Sequence, residues 1–386
     1  MNSIFKTPSS RAAKIDSFLA MELLARARQL EADGRDIVHM ELGEPDRPAP
    51  YHVIEAAFRA VREGYSTYTP AQGIAELREA IAGFYMREYG VRISPERIIV
   101  TEGVSPALFL VFSALLDAGD EVVIHEPYYP PYMQCIGFLD GKVKSIKLDA
   151  SAGFPIDSTK LINAVNAKTK AILLNSPSNP TGMMIDHAGL EAIAESGVTI
   201  VADEIYHRIT YGVQAASILE WTDNCFVLNG FSKVFGMTGW RLGWIICPDE
   251  FVDPLRKIHQ NFFLSANAFV QKAGVAALSG SQDYVAETVA IYKERRAFLI
   301  EELGCIGWKP VSDPQGAFYL LVDVSNTGLD GITLADKLLD EAGVAVTPGI
   351  DFGESAANHV RFCYATGIDR IEEGVKRIKK WTSAIR

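Results

Sequence analysis

Lys233 and Arg241 stand eight residues apart in the stretch NGFSKVFGMTGWRLGW, and they suit two different chemistries. A lysine held in a pocket can form a Schiff base with a carbonyl cofactor. A guanidinium offers a planar donor fork that matches a phosphate. The lysine's neighbours Phe231, Val234 and Phe235 are apolar, which favours a pocket over a solvated surface position. Upstream, ADEIY supplies Asp203, a carboxylate that could pair with a protonated ring nitrogen, and Tyr206, a phenol that could donate to a phenolate-type oxygen. An aspartate at such a place is about as often a helix cap. In NSPSNPTG, Asn179 precedes a proline turn, and taken alone it is ordinary turn chemistry. TEGVSPALFL reads as a turn into a helix, with Gly103 for tight backbone, Ser105 as N-cap and Pro106 at the first helical position. Such a helix start can cradle a phosphate through its free N–H groups, although on this segment alone a plain capped helix is the favoured explanation. GxGxxG and GxxxxGK[ST] are absent, which removes the usual nicotinamide and nucleoside-triphosphate signatures.

These residues gain meaning from what precedes them. Short β-branched or apolar runs at 98–100, 122–124, 171–174, 198–201 and 226–228 predict strands, each followed at once by polar, Gly-rich or Pro-rich residues. Helical segments such as 106–116 and 187–196 separate them, so the pattern is that of a mostly parallel sheet between helices. Ligands bind outside the carboxyl ends of strands in such sheets, and five loops therefore converge on one site. Residues 243–247 follow the previous strand closely and suit an antiparallel neighbour. A first helix is expected over 16–33, with Phe18, Leu19, Leu23, Leu24 and Leu30 as its stripe and Gly34 as its stop. After about residue 290 the pattern becomes mixed: strands at 318–322 and 360–364, helices at 334–341 and 368–381. The expected fold is α/β, a large domain with a seven-stranded-type sheet plus a smaller α+β domain. The expected division is 1–45 as an N-terminal part of the small domain, 46–290 as the large cofactor-binding domain and 291–386 as the C-terminal small domain.

Composition narrows the class further. With 37 basic against 48 acidic residues the net charge is −11, which argues against broad nucleic-acid binding. MNSIFKTPSSRAAK lacks the apolar stretch of a secretory signal, and no run is long enough to span a bilayer. Cys135, Cys225, Cys247, Cys305 and Cys363 are dispersed, and the seven histidines show no HExxH spacing. Both favour reduced thiols, a cytoplasmic location and no metal.

Taken in order, LGEPD, YTPAQGIAELREAIAGFY, VTEGVSPAL, PYYPPY, NSPSNPTG, ADEIY, SKVFGMTGWRLGW, GAFYLLVD, VAVTPG and VRFCYA resemble the class I/II pyridoxal-phosphate-dependent aminotransferases of fold type I, the group of aspartate and alanine aminotransferases. The resemblance covers nearly the whole chain from about residue 14. It implies pyridoxal 5'-phosphate as cofactor, Lys233 as the Schiff-base lysine and Asp203 as partner of the pyridinium nitrogen. It implies Asn179 and Tyr206 at the ring hydroxyl oxygen and Tyr129 stacked on the ring. Gly103, Val104 and Ser105, with Ser232 and Arg241, would surround the phosphate, and Tyr68 would reach the phosphate of a neighbouring subunit in a homodimer. Arg361 would clamp the substrate α-carboxylate, and Gly43 and Asn179 would also meet substrate. Two departures stand out: Gly230 replaces a serine common three positions before the lysine, and Glu102 and Val104 flank Gly103 where relatives often carry a second Gly or Asn.

The implied reaction moves an amino group between an L-amino acid and a 2-oxo acid by a ping-pong mechanism. The stretch 261–269, NFFLSANAF, corresponds roughly to the place where one dicarboxylate-specific family puts a second cation, and here it has none. Phe18, Phe262, Phe263 and Leu264 could offer apolar contacts instead, so neutral donors are expected ahead of aspartate, unless Arg11 or Lys14 supplies the cation. A carbon–sulfur β-lyase on the same fold is the alternative enzyme, since the same lysine and aspartate serve it. A non-catalytic cofactor-binding regulator is the alternative class.

Overall fold

A computed structural model of the chain describes residues 7–385. The first six residues of the opening stretch considered above as a signal lie outside the described residues. In chain order the strands are β1 (Val38–His39), β2 (Ile98–Thr101), β3 (Glu121–Glu126), β4 (Lys142–Lys147), β5 (Thr169–Asn175), β6 (Thr199–Asp203), β7 (Cys225–Gly230), β8 (Gly243–Ile246), β9 (Tyr319–Asp323), β10 (Val344–Ala345), β11 (Thr347–Pro348) and β12 (His359–Cys363).

Seven of them form one sheet in the order β2-β8-β7-β6-β5-β3-β4. β8 runs antiparallel to both of its neighbours, and the other pairings are parallel. β7 is buried throughout and β6 at every residue after Thr199, as their apolar runs require when helices cover both faces. One core lies on each face of this sheet: Val100, Ile172 and Val227 point to one side, Ile99, Leu173 and Phe226 to the other. Alternation along each strand makes that division.

The last third of the chain forms a three-stranded antiparallel sheet, β11-β12-β9. β1 joins this part by pairing in parallel with β10, Val38 opposite Val344. Its core contains Leu320, Phe362, Ile371 and Val38 together. The helix Asp283–Gly304 links the two cores: Val285 packs with the first, Tyr292, Leu299 and Leu303 with the second. The expected boundary at 290/291 therefore falls inside one continuous helix.

Two local expectations need correction. The helix after β2 begins at Val104, not at Pro106, and Gly103 is its N-cap with φ 102° and no side-chain cap bond. Ser105 is consequently a first-turn helical residue rather than the cap, because glycine's left-handed backbone already makes the turn. The first helix spans Leu19–Ala32 and so starts later than residue 16; Asp351 accepts from the backbone N–H groups of Leu19 and Ala20 at 3.3 and 3.4 Å and takes the capping role from outside. Among the described residues no helix is long and apolar enough to cross a membrane, and no group of three or more His, Cys, Asp or Glu side chains could hold a metal ion.

Candidate active site

One pocket opens at the carboxyl ends of the parallel strands. Its wall includes Val104 and Ser105 after β2, Tyr129 after β3, Asn179 after β5, Asp203 and Tyr206 at and after β6, and Ser232 and Lys233 after β7. Arg241, Gly43 and Arg361 complete it. The five loops expected to converge do so, and Arg361 of β12 and the irregular 42–43 segment close the pocket. Tyr68 does not line it; its side chain stands on the surface, 81 % exposed.

At the pocket floor the Lys233 amine donates to the Gly43 carbonyl at 2.7 Å. Burial pushes its pKa down to about 8. Asp203 ends β6 with its carboxylate buried, and burial pushes its pKa up to about 6. Tyr132 donates to Asp203 Oδ2 at 2.7 Å and the Ile205 N–H to Oδ1 at 3.2 Å, which holds the carboxylate in one orientation. Asn175, the last residue of β5, donates to the Asp203 carbonyl and accepts from the Asn179 N–H, tying the two loops together. The hydroxyls of Tyr206 and Tyr319 are hydrogen-bonded at 2.8 Å. Tyr129 stands edge-on to Tyr132 and Phe18, and burial raises its phenol to about 12.

Arg361 is almost fully buried in β12, its guanidinium 4.3 Å from the Tyr319 ring centre and 4.8 Å from that of Phe352. Nη1 donates to Asn179 Oδ1 at 2.8 Å, and Nη2 donates to the Glu41 carbonyl at 2.5 Å and to Thr347 Oγ1 at 3.2 Å. Its Nε is buried without a hydrogen-bond partner among the described residues. A buried donor with no acceptor carries a cost that an anionic ligand would remove. At the other end of the pocket Arg241, itself at φ 57°, lies against the start of the helix Val104–Leu115. A methyl group at Gly103 would stand 2.7 Å from Arg241 Nη2, so only glycine lets the guanidinium approach this backbone. The absence of serine at 230 also has a steric reason: a Cβ there would be 2.9 Å from the Leu242 carbonyl oxygen and 3.0 Å from Gly243 Cα.

Comparison with known proteins agrees with this geometry. Residues 35–378 match the family described as aminotransferase class I and II. The (5-formylfuran-3-yl)methyl phosphate transaminase of Methanocaldococcus jannaschii is 38 % identical over 377 residues, covering 97 % of this chain and 99 % of that one. The aspartate/prephenate aminotransferase of Thermus thermophilus is 38 % identical over 364 residues, 92 % of this chain and 94 % of its own. The solved aspartate aminotransferase from Thermus thermophilus with maleate superposes with a TM-score of 0.92 at 37 % identity, covering 97 % of this chain and all of that one, 100 %.

The chain belongs to the class I and II aminotransferases. It is therefore an enzyme of the transferase class, and its family uses pyridoxal phosphate. The pocket of this aminotransferase fits that group on two observations. Arg241 and an uncapped helix start meet at a glycine that leaves them room for an anion. A buried carboxylate, Asp203, whose ionised form burial disfavours, would gain from a cationic ring nitrogen. Sequence reasoning missed Tyr132, Tyr319, Thr347 and Phe352. Tyr132 and Tyr319 lie within PYYPPY and GAFYLLVD, but nothing in the spacing says that they face Asp203 and Tyr206. Thr347 and Phe352 reach Arg361 only through the fold.

Proposed function

We propose that this aminotransferase exchanges an amino group between an L-amino acid and a 2-oxo acid in two half-reactions that share one pocket, with neutral amino acids preferred over aspartate. The observation that carries the shared pocket is the one buried guanidinium among the described pocket residues, Arg361, whose Nε has no hydrogen-bond partner among the described residues. One anchor for an α-carboxylate obliges donor and acceptor to occupy the same place in turn, which is the basis of ping-pong kinetics. When bound, pyridoxal phosphate supplies an electron sink next to the substrate Cα and a carrier for the amino group. Asp203 would hold its ring nitrogen, Asn179 and Tyr206 its ring hydroxyl, and Tyr129 its ring face. Backbone groups of Gly103, Val104 and Ser105, with Ser232, Arg241 and the partner subunit's Tyr68, would hold its phosphate. Lys233 sits where an amine of lowered basicity can both accept and return a proton at the substrate Cα. Gly43, whose carbonyl holds that amine, would face the substrate. We read the chain as 1–45 and 291–386 forming a small domain against a large domain of 46–290, acting in the cytoplasm as a homodimer.

The donor preference rests on charge. Of the cations lining the pocket, Lys233 and Arg241 belong to the cofactor end and Arg361 to the α-carboxylate. Arg11 is engaged with Asp140 at 2.5 Å, and Lys14 is exposed away from the lining. Phe18 and Leu42 present apolar surface instead. A distal carboxylate without a partner would be costly to bury. Steady-state constants for alanine, leucine, phenylalanine and aspartate, each with pyruvate and 2-oxoglutarate, test this reading. The expected result is parallel double-reciprocal lines and a higher kcat/KM for the neutral donors. A highest value for aspartate would overturn the preference and point to a cation from the partner subunit.

A further inference from the structure

Glu102 directly precedes Gly103, the N-cap of the helix start that lies against Arg241, and it brings a carboxylate to this turn. A negative charge there opposes the binding of any phosphate. Facing it is His259, fully buried in the last turn of the helix Asp249–Phe262. His259 Nε2 lies 3.1 and 3.2 Å from the two Glu102 carboxylate oxygens. The other ring nitrogen, Nδ1, lies 2.6 Å from the Ala71 carbonyl oxygen. A carbonyl can only accept, so Nδ1 carries a proton. The contact to Glu102 then also needs a proton, either on Nε2 or on the carboxyl. With either placement the pair is neutral as a unit.

The same ring ties three segments. Ala71 belongs to the loop that carries Tyr68, Glu102 to the turn that ends β2, and His259 to the helix that ends at Phe262. Two further contacts hold the loop from below: the Val100 N–H donates to the Gln72 carbonyl at 3.0 Å, and buried Gln271 donates to Thr69 Oγ1 at 2.9 Å. Those contacts are neutral and would place the loop without His259. The histidine's distinct contribution is therefore electrical.

We propose that His259 is a positioning residue for the anion site: it neutralises Glu102, so that the Gly103–Ser105 turn presents an uncompensated positive field to the cofactor phosphate. The inference rests on the reading of this turn and Arg241 as the phosphate site. It goes beyond that reading by assigning a role to two residues that do not themselves line the pocket.

The test is a charge cycle read by binding rather than by turnover. Apoenzyme is titrated with inorganic phosphate and with pyridoxal phosphate, following the thermal melt and the cofactor absorbance. His259→Gln leaves the Glu102 carboxylate alone, and affinity for both ligands should fall by roughly tenfold or more, the size of one unscreened charge at a protein surface. His259→Gln combined with Glu102→Gln should recover most of that loss, which a purely structural role for the ring would not allow. Glu102→Gln alone, which keeps the ring and its bond to Ala71, should bind phosphate at least as tightly as the native chain. That variant can still overturn the proposal where His259→Gln fails to fold. Unchanged affinity in His259→Gln, a double variant no better than the single, or a tenfold loss in Glu102→Gln would each overturn the proposal. Arg241→Gln separates the two readings. If it binds phosphate as well as the native chain, the phosphate site itself is misplaced and the proposal falls with it. If it weakens binding while the cycle shows no coupling, only the role of His259 is wrong.

Discussion

Lys233 is useful only where its amine can lose a proton near neutrality, and the pocket arranges this by burial. Placed 2.7 Å from the Gly43 carbonyl and with its pKa lowered to about 8, the amine is mostly protonated below that value and mostly free above it. Addition to a carbonyl needs the free amine. Covalent capture of pyridoxal phosphate by the apoenzyme, fixed with borohydride and mapped by peptide, should therefore speed up as pH rises through about 8 and level off above it. A rate that keeps climbing toward pH 10 would show an ordinary exposed lysine at work. Lys233→Ala should lose the label and nearly all turnover. Arg361 makes a different demand, that of shape. Its Nε has no partner among the described residues while both Nη atoms are engaged, so the guanidinium is already oriented by Asn179, Glu41 and Thr347. Lysine keeps the charge and loses the fork. Arg361→Lys should raise KM for amino and oxo substrates alike by roughly tenfold to a hundredfold, the equivalent of one charge-assisted hydrogen bond of about 1.5–3 kcal/mol. A change confined to one of the two substrates would argue against a shared anchor.

The helix Val104–Leu115 shows how an element brings such residues to bear. It starts on Gly103 at φ 102° and ψ 177°, a conformation nearly restricted to glycine. Gly103→Ala should cost about 1–3 kcal/mol in backbone strain and also push Arg241 away from the helix start. The expected result is a lower melting temperature together with weaker cofactor retention, measured by dialysis against phosphate-free buffer. A variant that melts early yet keeps its cofactor would separate the strain from the anion site. The same helix marks what the sequence could reveal. Glycine, proline and the apolar run announced a turn into a helix, but Ser105 was indistinguishable from a cap, because a backbone turn made by glycine leaves no side-chain signature. The strands were legible for a simpler reason: runs such as Ile172–Leu174 and Phe226–Leu228 are apolar on both faces, and that occurs when helices cover both sides of a sheet. Lys233, Asp203 and Arg361 could be singled out because few residues do their chemistry. Tyr132, Tyr319 and His259 could not, since their importance lies in what the fold places opposite them.

At the scale of the whole molecule, aromatic side chains among the described residues are left exposed on well-held segments. Tyr68 is 81 % exposed although its loop is held by buried Gln271 and His259, and Phe262 is 70 % exposed although it packs on Phe109 of the helix that starts at the anion site. Ile54, Phe58, Val61, Trp240 and Phe269 also line an open apolar groove. Rigidly held aromatic side chains at a surface suit an interface, because little side-chain freedom remains to be lost on binding. A second copy of this chain is the proposed occupant, and its Tyr68 would reach the phosphate end of the first copy's pocket. Two linked consequences can be measured. Sedimentation should give a dimer at assay concentration, and the melting temperature should rise with protein concentration, because folding and association are then coupled. Tyr68→Phe removes one hydroxyl and no apolar surface, so the dimer should persist while cofactor affinity falls by roughly threefold to tenfold, the size of one hydrogen bond of about 0.5–1.5 kcal/mol. Mixing Tyr68→Phe with Lys233→Ala subunits sharpens the test. If Tyr68 acts across the interface, each hybrid has one site with Lys233 and native Tyr68, contributed by different chains, and that site should retain cofactor as the native enzyme does. If Tyr68 acts within its own chain, no such site exists in the hybrid, and its Lys233-containing site should lose cofactor as readily as the Tyr68→Phe homodimer does.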